Sequence, residues 1–201
     1  QSVGGQTRPG CVSIMTVHRS KGLEFPVVFV ADTDHKFNQS DAIRPVLTHS
    51  RLGVGVMLRA PRAAKRFKTL PYAALAQAIR TETLSEEMRV LYVALTRAQD
   101  ALLITVPLKK TASALKTPAL CAAAEATGSE SMRSMGSWAG WILTAAMLHP
   151  DSDALWGYTS FLPHHRPTEV PLTIRLVALP ENAEQPPAPR APQPDPATVE
   201  M

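Results

Sequence analysis

"TVHRSKGLEFPVVFVA", residues 16–31, sets two hydroxyls, an imidazole, two cations, a glycine and a carboxylate directly ahead of an apolar run. The run Val27–Ala31 is continuous rather than alternating, the pattern of a strand covered on both faces in a parallel α/β sheet. Ahead of it, "VSIMTV" (12–17) is rich in β-branched residues and predicts a short strand. The polar segment between them then falls in a turn at the carboxyl edge of the sheet, where open α/β sheets bind ligands. Gly22 allows close backbone approach to a phosphate. Thr16, His18, Arg19 and Lys21 suit phosphate contacts, and Glu24 can accept from a ribose hydroxyl. Taken one at a time, these residues fit a polar loop capping a strand equally well.

Further along, Leu84, Met88, Leu91 and Leu95 recur at helical spacing and predict a helix over 72–98. Pro71 suits its first turn, and Thr83 with Glu86 offers a capping box at which the helix could restart. "ALLITV" (101–106) predicts a third strand. Arg97 lies at the corner between that helix and strand, two turns beyond Arg89. A guanidinium there can clamp a phosphoryl group; it can equally face the negative end of the helix dipole.

Residues 32–70 and 108–136 carry no clear period. "SWAGWILTAAMLH" (137–149) predicts an amphipathic helix with Ser137 as N-cap, and a strand is expected around 172–179. Trp138, Trp141 and Trp156 are spaced for packing rather than for stacking bases, and the adjacent His164 and His165 read as a surface loop. From Glu181 the composition shifts to "PPAPRAPQPDPAT", a proline-rich linker.

The 201 residues are 45% apolar, enough for one domain with a core. No run of 18 apolar residues exists to span a membrane. Cys11 and Cys121 lack metal-ligand spacing and read as two reduced thiols, which points to the cytoplasm. Residues 181–201 hold four acids and one base, so of the net +4 the first 180 residues carry +7. Arg44, Arg51, Arg59, Arg62, Lys65, Arg66, Lys68 and Arg80 fall in a stretch with no acid between Asp41 and Glu82. Such a stretch can be a solvated basic loop or can neutralise phosphates.

Together the two polar stretches are far more specific than either alone. "TVHRSKGLEFPVVFVA" followed by "EEMRVLYVALTRAQDALLIT" (86–105) resembles motifs V and VI of the UvrD/RecB-type, superfamily 1A DNA helicases. Within them it is most similar to the branch of helicase–nuclease subunits called AddA, through "HKFNQSD", "TLP" (69–71) and "GSWAGWILTAAMLHP" as well. The resemblance covers 12–106 strongly and fades beyond about 150. It implies an incomplete RecA-like α/β domain of the P-loop NTPase type, with a parallel sheet and a C-terminal helical extension. The implied division is 1–107 for the end of the second RecA-like domain, 108–180 for the extension and 181–201 for a linker toward a nuclease domain. It further implies ATP with Mg2+, single-stranded DNA and duplex ends, and an AddB-type partner subunit. Thr16 and His18, with Arg19 and Lys21, would then couple DNA to the nucleotide. Gly22 and Glu24 would lie on the nucleotide side, and Arg97 would be the arginine finger.

No G-x-x-x-x-G-K-[ST] phosphate loop occurs in the chain, and no cluster of His, Asp and Glu offers a metal site. Since the chain also begins with Gln1, it is expected to be a piece of a longer protein and inactive alone. Two other readings are a UvrD-like helicase without a nuclease and a non-catalytic module binding DNA or a partner.

Overall fold

The computed structural model describes residues 11–59, 65–124 and 129–178. In chain order it contains β1 (Phe25–Val30), β2 (Val46–His49), β3 (Gly53–Arg59), β4 (Arg66–Lys68), α1 (Leu70–Leu95), β5 (Ala98–Ile104), α2 (Thr111–Ala123), α3 (Ser129–Ser134), α4 (Trp138–Met147) and α5 (Asp153–Trp156). Short 3-10 turns occupy Val17–Ser20, Ser40–Ala42 and Pro150–Ser152.

The protein is mixed α/β, and its parallel pairing joins β1 to β5 in the register Val27↔Ala101 to Val30↔Ile104. The strand expected at 101–106 therefore lies slightly earlier, at 98–104. The expectation that β1 is covered on both faces is corrected. Phe29 is 65% exposed, and Val27 and Leu103 are also open, because none of the described elements forms a layer over this two-stranded sheet. The strand expected at 12–17 is also absent. Residues 11–16 are extended coil with Ile14 98% exposed, and the 3-10 turn follows. β-branched residues favour a strand only where a neighbour supplies its hydrogen bonds, and no described strand pairs with this segment.

Residues 46–59 and 66–68, read from sequence as irregular, form an antiparallel sheet of order β2-β3-β4. Its inner face, through Leu47, Gly55 and Met57, packs on the first half of α1 at Tyr72, Leu75 and Ala76. The side chain of His49 is buried. Its Nδ1 accepts from the amides of Arg51 and Leu52, which leaves the proton on Nε2 to donate to Glu82 Oε1 at 3.0 Å.

α1 runs unbroken for 26 residues. Thr69 caps it, accepting from Tyr72 N while its hydroxyl donates to Val56 O at 2.8 Å, and Pro71 sits in the first turn as expected. No restart occurs at Thr83, whose hydroxyl donates back to Ile79 O instead of capping. The stripe Leu84, Leu91 and Leu95 does pack, but not on the parallel sheet. It joins Phe37, Cys121, Met135 and Trp141, while Met88 stays partly exposed.

The region after β5 is helical. α2, unforeseen because Pro118 interrupts its middle, packs on α4. Leu115, Ala119, Ala122 and Met147 are fully enclosed there with Leu155 and Trp156. Trp141 and Trp156 are core residues, and Trp138 donates to Glu87 at 3.1 Å. Ser137 precedes α4 but makes no capping hydrogen bond with its side chain. His165 packs edge-on against Trp156 and lies 3.4 Å from Asp153 Oδ1, so it is more engaged than a surface loop implies. Residues 172–178, where a strand was expected, are coil; residue 179, the proline-rich linker and Arg62 lie outside the described residues.

Three bonds tie down the segment after β1, one to the end of β5 and two to the helical part. The hydroxyl of the buried Thr33 donates to Thr105 O at 2.8 Å. Thr33 O accepts from Ala139 N at 2.7 Å, and Phe37 N donates to Gly136 O at 2.9 Å. The Phe37 and Trp141 rings then meet with centroids 4.8 Å apart.

Candidate functional site

The polar segment 16–24 begins with Thr16 in extended conformation, whose carbonyl accepts from Arg19 N at 3.0 Å. The buried Ser20 fixes the turn by donating to Val17 O at 2.7 Å. Thr16, His18, Arg19 and Lys21 are all exposed, so their polar ends are presented to solvent. Gly22 has φ +81° with open space where a side chain would stand. Its left-handed backbone, which any other residue would strain, turns the chain into β1.

Arg97 meets this segment from the other side. Its Nε donates to Val93 O at 2.9 Å, one terminal nitrogen to Thr96 Oγ1 at 2.9 Å and the other to Leu23 O at 3.0 Å. Thr96 is itself oriented by donating to Tyr92 O at 2.9 Å. Phe25 N donates to Arg97 O at 2.9 Å, so backbone and guanidinium together join two stretches more than seventy residues apart. Three of the five guanidinium N–H groups are thus committed, leaving two, on the terminal nitrogens, without an acceptor among the described residues.

Glu24 is exposed and accepts from Gln99 Nε2 at 3.1 Å. Gln99 is a site neighbour that sequence reasoning missed. In the parallel register Ala98 pairs with Phe25, so Glu24 and Gln99 flank that pair one step to either side, and Gln99 reaches back along the sheet to the carboxylate. Arg89, in contrast, is tied to Glu86 at 2.7 Å on an exposed face and does not join the site.

The site therefore holds an accessible carboxylate, an open glycine turn and a half-buried guanidinium, with four exposed polar side chains on the adjoining turn. Cations, an open glycine turn and a hydrogen-bond-accepting carboxylate are groups that can hold a phosphorylated ligand. The model of the UvrD-like helicase C-terminal domain matches residues 3–109, just over half of the chain. The chain belongs to this family. It is also similar to curated proteins named as the A-subunits of ATP-dependent helicase/nucleases. Against the one from Ruminiclostridium cellulolyticum it is 49% identical over 94 residues, 47% of this chain and 8% of that protein. The relative from Lactiplantibacillus plantarum is 34% identical over 154 residues, 76% of this chain and 12% of its own. The one from Moorella thermoacetica is 38% identical over 148 residues, 72% and 10% respectively. The chain spans about a tenth of the length of these relatives.

No described helix is long and apolar enough to cross a membrane. Among the described residues no group of three His, Cys, Asp or Glu side chains could hold a metal ion.

Proposed function

We propose that this UvrD-like chain supplies residues of an ATP-driven DNA motor, as part of a 3′–5′ helicase–nuclease subunit of AddA type. In this reading residues 1–107 complete the second RecA-like domain, 108–180 form its helical extension and 181–201 lead to a nuclease domain. The subunit works in the cytoplasm with an AddB-type partner on duplex ends and single-stranded DNA, in recombinational repair of double-strand breaks. The observation that carries the reading is the bond between Arg97 and Leu23 O, which puts the two motif stretches in one site.

On this reading Glu24, oriented by Gln99, binds the nucleotide's ribose, and the turn at Gly22 leaves room for the ligand's approach. Arg97 supplies positive charge to the phosphoryl group being transferred. Thr16, His18, Arg19 and Lys21 face the DNA strand, so that occupancy by DNA is felt by the nucleotide through the same short turn. Mg2+ accompanies the nucleotide, held by ligands elsewhere in the subunit.

The same three bonds favour a second reading of Arg97, as a lock between helix end and loop. Kinetics on the intact protein separate the two. As a finger, Arg97→Ala lowers kcat for ATP hydrolysis on the order of 10²-fold, with little change in ATP affinity. As a lock, it leaves turnover near parental and lowers the melting temperature. A parental kcat in that variant would remove Arg97 from the chemistry.

A further inference from the structure

The Arg97 guanidinium is held by three acceptors, and only one of them belongs to a side chain. Val93 O and Leu23 O are backbone, whereas one terminal nitrogen donates to Thr96 Oγ1 at 2.9 Å. The direction of that bond is fixed. The Thr96 hydroxyl has a single proton, and it is turned to the helix end, with Tyr92 O at 2.9 Å and Val93 O at 3.2 Å. What Arg97 meets is therefore the oxygen's lone pairs, in a charge-assisted bond.

A threonine within or at the end of a helix commonly bonds back to the preceding turn. That habit explains the Tyr92 bond and says nothing of the guanidinium. Thr96 is exposed and Arg97 only half-buried, so water could satisfy both. Fixing a long arginine side chain costs rotamer freedom, a cost that solvation would not impose. Instead the bonds run in series, Arg97 to Thr96 and Thr96 to Tyr92 O, and each donor in such a series strengthens the next. Geometry gives the third bond its own task. Two anchors, at Nε and at one terminal nitrogen, leave a planar group free to rock about the line between them. The anchor at Thr96 stops that motion. The two N–H groups that have no acceptor among the described residues, one on each terminal nitrogen, then point in one set direction.

We infer that Thr96 is a positioning residue for Arg97, its hydroxyl holding the guanidinium in the orientation from which those two N–H groups meet a phosphoryl group. The inference rests on the reading of Arg97 as the finger and gives a role to a residue that has none in that reading. Thr96 itself touches no phosphate. Its effect is felt where aim matters most, in the transition state, and little in the binding of ATP.

The test is steady-state ATP hydrolysis by the intact protein with saturating oligothymidylate. Thr96→Val keeps the shape and removes the acceptor. It should lower kcat about tenfold, the worth of one bond to a charged group, with KM for ATP and the melting temperature near parental. Thr96→Ala should repeat the loss without placing an apolar branch beside the guanidinium. Thr96→Ser, which keeps the hydroxyl, should retain most of the turnover. Added to Arg97→Ala, Thr96→Val should cost nothing further, because the group it orients is gone. Parental kcat in both Thr96→Val and Thr96→Ala beside a slow Arg97→Ala overturns the inference and leaves the finger reading standing. A Ser variant as slow as the Val variant also overturns it, since the methyl group would then be what counts. So does a full further loss in the Arg97→Ala background, which would show that Thr96 acts by another route. A parental kcat in Arg97→Ala overturns the finger reading and this inference together.

Discussion

The helical part after β5 and the parallel pair β1–β5 are built from similarly apolar sequence and end up in opposite conditions. Leu115 and Met147 are 0% exposed, closed in by two helices and the loop beyond them. Phe29, in the middle of a strand of equal hydrophobicity, is mostly in water. What differs is the number of layers. α2 and α4 each have an apolar stripe and find each other, whereas the β1–β5 pair buries Val30 on one face and leaves Val27 and Phe29 on the other with no described element packed on them. Apolar content alone therefore does not rank positions by their contribution to stability; enclosure does.

Truncation in the closed region is the sharpest way to break this contrast. Trp141→Ala removes the ring that touches Phe37 and also the indole donor to Met132 O at 2.8 Å. It should cost about 3–5 kcal/mol in urea unfolding of the chain. Gly55→Ala should come next, at about 1–3 kcal/mol, because its Cβ would lie 2.7 Å from Tyr72 Cα and backbone cannot step aside. Thr69→Ala, losing both the helix cap and the bond to Val56 O, should cost about 1 kcal/mol. Phe29→Ser should change the same unfolding midpoint least, by about 0.5 kcal/mol or less. A Phe29 variant as damaging as Trp141→Ala would show that the parallel pair is enclosed after all. In the intact protein, Gln99→Ala should raise KM for ATP a few-fold with melting unchanged; an unaltered KM would sever Gln99 from the site.

The family was legible because its polar residue types stand at fixed offsets, which no packing requirement produces. The helix over 70–95 was legible from its leucine stripe, although the surface it meets was not. Periodicity tells which side of a helix is apolar, and says nothing of whether Leu91 meets a strand or Trp141. The antiparallel sheet escaped because Val54, Val56 and Leu58 are apolar on its outer face while Gly55 and Met57 face inward. With both faces apolar or small, the alternation that announces a half-buried strand is erased. At 12–17 the opposite held: the composition of a strand was present, and its hydrogen-bonding neighbour was not. Gln99 was out of reach for a third reason, because its role depends on a pairing register that only the assembled sheet defines.

The stitching at Thr33 and Phe37 has a mechanical meaning. Two backbone bonds and a ring contact fasten the far helices to the segment that follows β1, and the Thr33 hydroxyl fastens that segment to the end of β5. No slack linker separates them, so a tilt of β1 is passed on rather than absorbed. Displacement of β1 relative to the polar turn would therefore carry residues 136–141 with it.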